Sequence, residues 1–324
     1  MSGLLAGYIS GSTVELARVN EKRGKIVLED LQSYPSRDFA RLDNILGKYL
    51  KRDGQPFTAG CLGVAGPVLG EKVTTTNLPW HISAAALEKK FDLQQIILVN
   101  DVVATAHGLA QLNSDHFLVI NSGRRVAIGN QALISAGGGL GEALILKHGD
   151  QILPYASEGG HGDFAPGNQL ESELWEYLYS EKGQVEVEDV LSLSGLVRIY
   201  DFLVDTQGGV RADWFAHAEY PTDLIIEKAL SGQDETASRA LDIFIDCYAS
   251  EAANLALKGM AIGGVYIGGV IAPQIITALD RGRFMSRFAK SGKMESLLAR
   301  IPVGVIIEER TPLLGAASVA LGLQ

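Results

Sequence analysis

Ser157-Glu158-Gly159-Gly160-His161-Gly162-Asp163-Phe164-Ala165-Pro166 is the stretch on which the reading of this chain turns. Two adjacent glycines let backbone approach a ligand closely. Glu158 and His161, three residues apart around them, can point the same way. A carboxylate and an imidazole presented together suit neighbouring hydroxyl groups. A ligand lacking one of those hydroxyls would leave a polar group unpaired and be rejected.

Upstream, Ala132-Leu133-Ile134-Ser135 runs into Ala136-Gly137-Gly138-Gly139-Leu140-Gly141, then Glu142–Leu146 and a Lys147-His148-Gly149 turn. Such glycines expose N–H groups to an anion, and they would equally serve a tight hairpin bend. The start of the chain has the same outline. Leu4–Val19 alternates apolar and small residues around Ser10-Gly11-Ser12, and Lys22-Arg23-Gly24 turns into Lys25-Ile26-Val27-Leu28. A strand–turn–strand hairpin in each half predicts an internally duplicated fold with nucleotide between the halves.

Between the two hairpins, Ile96-Ile97-Leu98-Val99 is an apolar run without alternation, as in a strand buried on both faces of a parallel sheet. It stops at Asn100-Asp101, where such sheets gather ligands. A rigidly held carboxylate there is ready to accept a proton at neutral pH, so Asp101 is the candidate general base; the competing role is to N-cap the following helix. Helices are predicted over Arg41–Lys51, from a Ser83 N-cap through Lys90, over Glu235–Leu257 and over Leu313–Leu321. Further strands are predicted at Cys61–Val64, Val73–Thr76, Val265–Ile267 and Pro302–Ile307. No residue from Gly259 to Leu279 is charged, which is long enough to span a bilayer. Its five glycines and Pro273 read instead as strand, glycine turn and helix.

The 324 residues are 47% hydrophobic and 20% charged, an ordinary globular balance with room for two domains. A net charge of −10 and no Lys/Arg-rich stretch argue against nucleic acid. Cys61 and Cys247 form no CxxC pair and are expected to be buried thiols in a reducing cytosol, and no cluster at zinc-ligand spacing is visible. The N-terminus lacks the basic region of a signal peptide. These features predict a cytoplasmic protein with no membrane partner.

The Glu158–Pro166 element, Asn100-Asp101, Glu188-Asp189-Val190-Leu191-Ser192, Cys61–Pro67, Thr76–Trp80, Ala136–Gly141, Gly263–Pro273 and Pro312–Gly315 together resemble the bacterial glucokinases of the non-ROK type, in the family's order along nearly the whole chain. The resemblance implies an α/β fold of the two-lobed actin-like ATPase/hexokinase kind, with ribonuclease H-like mixed sheets flanked by helices around a central cleft. It implies a small lobe over 1–105 plus 310–324 and a large lobe over 106–309. The implied reaction is transfer of the γ-phosphoryl group of ATP, with Mg²⁺, to the 6-hydroxyl of glucose, in a homodimer. Asn100, Asp101, Glu158, His161 and Glu188 would contact glucose, with Asn77 a weaker contact. Without the resemblance, Glu188 in its acidic run with Glu186 and Asp189 would be a solvated face. ATP would meet Gly7, Gly11 and Ser12 of a first phosphate loop, Gly137, Gly138 and Gly139 of a second, and Gly268 and Gly269 beneath the adenosine.

Departures from the family concentrate on the nucleotide. Where the family reads Gly-Asp-x-Gly-Gly-Thr, this chain has Gly7-Tyr8-Ile9-Ser10-Gly11-Ser12. Tyr8 thus replaces the acidic residue expected to hold Mg²⁺ through water, and a phenol is a poor partner for that ion, so no metal ligand is assigned. Ser10 removes backbone freedom, Gly138 stands for a threonine, and Val270 replaces the last glycine of the adenosine turn. The sugar set is untouched. Two outcomes follow: an attenuated kinase, in which another carboxylate such as Asp101 takes the missing role, or a hexose-binding sensor with little turnover.

Overall fold

The structure, a computed structural model, describes residues 3–323 except 53–55, 76, 77, 125, 127, 150 and 291. The opening alternation builds an antiparallel hairpin of β1 (Gly3–Ile9) and β2 (Thr13–Lys22), with Leu4 opposite Val19 and Tyr8 opposite Glu15. Arg23 and Gly24, at φ +57° and +73°, make the tight turn into β3 (Lys25–Pro35). After α1 (Leu42–Leu50), β4 (Phe57–Val64) pairs parallel with β1. A small three-stranded sheet of β5 (Val68–Leu69), β6 (Lys72–Thr74) and β7 (His81–Ser83) follows, then α2 (Ala84–Phe91). β8 (Gln95–Asn100), parallel to β4, leads into α3 (Asp101–Gly108).

The second half begins with β9 (Phe117–Asn121), β10 (Gln131–Ala136), β11 (Leu140–His148) and β12 (Gln151–Ser157). Helices α4 (Gln169–Lys182), α5 (Val187–Val190), α6 (Leu193–Thr206), α7 (Asp213–Ala216), α8 (Pro221–Ser231) and α9 (Glu235–Gly259) come next. β13 (Gly264–Gly268), α10 (Ile271–Gln274), α11 (Ile276–Leu279), α12 (Arg283–Ala289), α13 (Glu295–Leu298) and β14 (Val303–Ile306) complete it, and α14 (Thr311–Leu321) ends the chain.

Strand order makes the duplication explicit. The first sheet runs β3-β2-β1-β4-β8 and the second β12-β11-β10-β13-β14-β9. In each, an antiparallel hairpin is followed outward by two parallel strands, and β9 adds an antiparallel edge to the second. The chain divides into two units, one of Met1–His116, Pro154–Ala156 and Glu308–Gln324, the other of Phe117–Leu153 and Ser157–Ile307.

In the first unit, the period-2 alternation of β1 sends Leu5 and Ile9 into a core with Ile45, Leu46, Tyr49 and Trp80. Leu4 and Ala6 face the other way, onto Leu313, Ala316, Ala317 and Ala320 of α14. α14 comes close to α3 because Gly315 has no side chain: a Cβ there would overlap the backbone of Ala104, and one at Gly108 the backbone of Thr311. That small-residue contact fixes the helix whose first residue is Asp101. In the second unit, α9 lays Phe244, Tyr248, Ala252 and Ala256 on its buried face, in a core shared with Ile134, Ile199 and Ile267.

Three expectations meet the structure here. Ser83 does precede α2, but its side chain makes no capping bond. Its extended backbone ends β7, paired with Lys72, and takes the N-cap position of α2. The uncharged stretch 259–279 is the last residue of α9 followed by β13, α10 and α11, and no helix among the described residues is long and apolar enough to cross a membrane. Cys61 and Cys247 are buried free thiols, and burial pushes the Cys61 thiol up to about 12.

Candidate active site

In the first unit, the loop from Ser10 to Ser12 joins β1 to β2. Ser10 Oγ accepts from the Thr13 N–H at 3.0 Å and from the Ser12 N–H at 3.4 Å, and Ser10 N–H donates to Thr13 O at 2.9 Å. The serine hydroxyl thus closes the turn that a glycine would leave open. Ser10 does not adopt a positive φ, so the change costs no backbone strain. Gly7 is needed for another reason: a Cβ would run into Leu16 and Leu62.

Tyr8 lies on the α14 side of the sheet, facing Glu15 across the hairpin. Burial drives its phenol far above the usual tyrosine range, and the carboxylates of Asp101 and then Glu15 push it further. Tyr8 is therefore neutral at any physiological pH, with two carboxylates close enough for their fields to register. The Glu15 carboxyl is itself raised, by burial first, with Arg310 opposing and Glu309 reinforcing. At the end of β8, Asn100 is the cap of α3: its Oδ1 accepts from Val102 and Val103 N–H at 2.9 and 3.3 Å, and its Nδ2 donates to Gly66 O at 3.2 Å. Capping by Asp101 is thereby excluded as the reason for a carboxylate at that position. The amide that was assigned to glucose spends its oxygen on the helix. Asn77 lies outside the described residues.

In the second unit, the parallel strands β10 and β13 end side by side. Their carboxyl ends are tied by Tyr248 of α9, whose hydroxyl accepts from Ala136 N–H at 3.2 Å and lies 3.2 Å from Gly268 O as donor. Burial raises that phenol well above its usual range. Beyond β10, Gly137–Gly139 turn with Gly137 N–H donating to Gly139 O at 2.8 Å, while Leu193 N–H at the start of α6 donates to Gly137 O at 2.8 Å. Beyond β13, Gly269 has φ +84°, and a Cβ there would overlap the Ala136 backbone. Val270 sits at φ −81°, so the loss of glycine there brings no strain; it leaves an apolar side chain 55% exposed at the turn.

Against this glycine loop lies the Glu158–Pro166 motif. Glu188 Oε2 accepts from Leu140 N–H at 2.8 Å, and a Cβ on Gly139 would collide with the Glu188 carboxylate. Gly160 packs as tightly on Leu140. The 159–161 turn therefore reaches the loop only because it is glycine. His161 is surrounded by the carboxylates of Glu186, Glu188 and Glu158, and its imidazole is held above its ordinary value, chiefly by the hydrogen bond from Nδ1 to Glu186 Oε2 at 2.8 Å. Glu158, His161 and Glu188, called from the sequence, thus come together with Gly137–Gly139. Glu186, Tyr248 and Glu142 were not singled out, and the apolar spacing that placed Tyr248 on a helix face carried no sign of its polar task.

Glu142 is 2% exposed beneath Gly159, and its Oε1 has no hydrogen-bond partner among the described residues. Burial, then Glu251, raises its carboxyl to about 7, with Lys258 opposing. A folded-state pKa above the unfolded one means the fold prefers the protonated acid, so stability is lost as pH climbs from the unfolded value toward 7. Glu142→Gln is expected to match the wild type near pH 4 and to gain on the order of 1–3 kcal/mol above about pH 7. Thermal melts across that range check it; a difference independent of pH would mean the acid is ionised in the fold.

A family model described as Glucokinase matches residues 5–322 of the chain. A glucokinase from a Nostoc species is 36% identical over 343 residues, an alignment covering all of both proteins. Among solved structures, a glucokinase from an Antarctic psychrotroph matches with a TM-score of 0.84 and 29% identity, covering 99% of each chain. A glucokinase from Balamuthia mandrillaris, solved in complex with glucose, matches with a TM-score of 0.82 over 99% of this chain and 94% of that one; at 19% identity the likeness concerns the fold alone.

Proposed function

The chain belongs to the glucokinase family, with its actin-like hexokinase fold, and we propose that it transfers the γ-phosphoryl group of ATP to the 6-hydroxyl of glucose. The observation that carries the substrate side is the gathering of Glu158, His161 and Glu188 against the Gly137–Gly139 loop. Carboxylates and an imidazole offer acceptors and donors in the mixture that adjacent hydroxyls require. Asp101 is the general base: an ionised carboxylate at the start of a helix takes the hydroxyl proton as the oxygen attacks phosphorus. The backbone N–H groups of the glycine turns are the phosphate donors in this reading.

Mg²⁺, when bound with the nucleotide, neutralises charge on the phosphate oxygens. Tyr8 cannot serve it, being neutral. Glu15, whose field acts on the Tyr8 phenol, would be the carboxylate to hold this ion through its waters in place of the missing aspartate, which leaves Asp101 free to take the proton. Family likeness also points to a cytoplasmic homodimer, which sedimentation would test.

Purified protein incubated with glucose and Mg-ATP, with ADP release followed by a coupled assay, tests the reading. Turnover well above that of the Asp101→Ala variant is the expected result. ADP release no faster than the variant, with glucose still binding by calorimetry, would overturn it.

A further inference from the structure

Glu186 stands in an acidic run and has no part in the assignments above, yet the backbone delivers it to His161. Phe164 N–H donates to Val185 O and Val187 N–H to Gly162 O, both at 2.9 Å, and Asp163 bridges Glu186 between them. This short ladder pairs the tail of the sugar motif with the segment entering α5. The Glu186 N–H is held by Asp189 Oδ2 at 3.0 Å, and Asp189 is buried and paired with Lys182 and Arg198. The Glu186 backbone is thus fixed from two sides, and its carboxylate grips His161 Nδ1 at 2.8 Å.

Resting on the glucokinase reading, we propose that Glu186 is a positioning residue for the sugar: it holds His161 by Nδ1 and thereby presents Nε2–H as a donor to a glucose hydroxyl. The two ring nitrogens are not equivalent, and the partner of one sets what the other can do. A neutral imidazole bound through its Nδ1–H would offer Nε2 only as an acceptor; an imidazolium offers a donor at both. The charged groups around the ring are Glu158 in its own turn and Glu186 and Glu188 from the α5 segment, and all three favour the cation. Glu186, with the hydrogen bond, contributes most. Glu158 and Glu188 are already sugar candidates; Glu186, which also forms a capping box with Asp189 at the start of α5, is the carboxylate that bonds the ring.

Glu186→Gln keeps a hydrogen-bonding side chain of the same size and removes the charge. The histidine C–H resonance of His161 should then titrate at lower pH, identified against a His161→Gln spectrum. Glucose KM should rise about tenfold at a pH between the measured His161 midpoints of variant and wild type, where a hydrogen bond from a charged donor is lost, with kcat falling far less. In the wild type KM stays flat until pH passes the raised His161 pKa, and in the variant it climbs from a lower pH. An unchanged KM despite a shifted His161 titration would overturn the proposal, and so would a parallel fall in kcat and melting temperature, which marks a merely structural pair. The same comparison made by calorimetry with glucose alone needs no turnover. A failure of ATP-dependent phosphorylation in the wild type would therefore be told apart from a failure of this pair.

Discussion

Asp101→Asn should lower kcat by roughly 10²- to 10⁴-fold, the range a positioned general base contributes, while glucose KM moves only a few-fold. Asparagine has nearly the same shape but no basic lone pair available at neutral pH, so it isolates the proton acceptor from the packing. The fold should tolerate the change because the cap of α3 is Asn100, whose Oδ1 bonds to Val102 and Val103 N–H remain. What is lost structurally is the favourable placement of a negative charge in the first helical turn, worth about 0.3–1 kcal/mol. A melt showing near-wild-type stability beside a collapsed kcat would separate chemistry from folding. Activity within tenfold of wild type would remove Asp101 from the role of base. The neutral Tyr8 beside it offers no replacement: its phenol is held protonated by burial and by Asp101 and Glu15, and losing one of those carboxylates leaves the burial in place.

The two hairpins were legible because each couples apolar strand residues to a local turn of small residues, Ser10-Gly11-Ser12 in one and Gly137-Gly138-Gly139 in the other. Repetition of that outline predicted the duplication, and the matched strand orders of the two sheets carry it. β9 was not legible. It pairs with β14 nearly the whole second unit away, through Phe117 opposite Ile306, and nothing in Phe117–Asn121 announces so distant a partner. Ser83 does take the N-cap position of α2, but its side chain makes no capping bond, which its residue type did not reveal.

Within the site, positions whose constraint follows from their own chemistry could be read: Gly139 and Gly160 are points of close approach, to Glu188 and Leu140. Residues whose task depends on what folds against them could not. Glu186 looks solvated until the Phe164–Val185 ladder brings it to His161. Tyr248 looks like one more apolar position until its hydroxyl is found joining the ends of β10 and β13. Ser10 reads from sequence as lost backbone freedom and Val270 as a lost glycine, yet neither residue has a positive φ. Their effect is chemical: a hydroxyl that occupies the N–H groups of Ser12 and Thr13, and an exposed apolar side chain at the turn after β13.

Arg287→Ala is the substitution expected to cost most in stability. Glu171, in the first turn of α4, is 2% exposed and carries three partners: Gly167 N–H on Oε2 and Asn168 Nδ2 on Oε1, each at 2.6 Å, and Arg287 Nη2 at 3.1 Å. Gly167 must be glycine for this, since a Cβ would strike the guanidinium. Removing the arginine leaves an ionised carboxylate buried without its counter-charge, a loss of about 3–5 kcal/mol. Melting should drop on the order of 10 °C. Arg287→Met, which restores packing but not charge, should recover little if the ion pair is what matters. Exchanging both partners for apolar residues is not the neutral change often found for buried ion pairs, because Gly167 N–H and Asn168 Nδ2 would each lose their acceptor. The interaction energy in an Arg287→Met, Glu171→Gln double-mutant cycle should therefore exceed what an exposed pair shows, about 0.2–1 kcal/mol. Gly167 and Asn168 directly follow Pro166, the end of the motif that begins at Glu158. A loosened anchor should consequently raise glucose KM at temperatures well below the melt, and a variant that loses stability with KM unchanged would show that the anchor supports α4 and α12 alone.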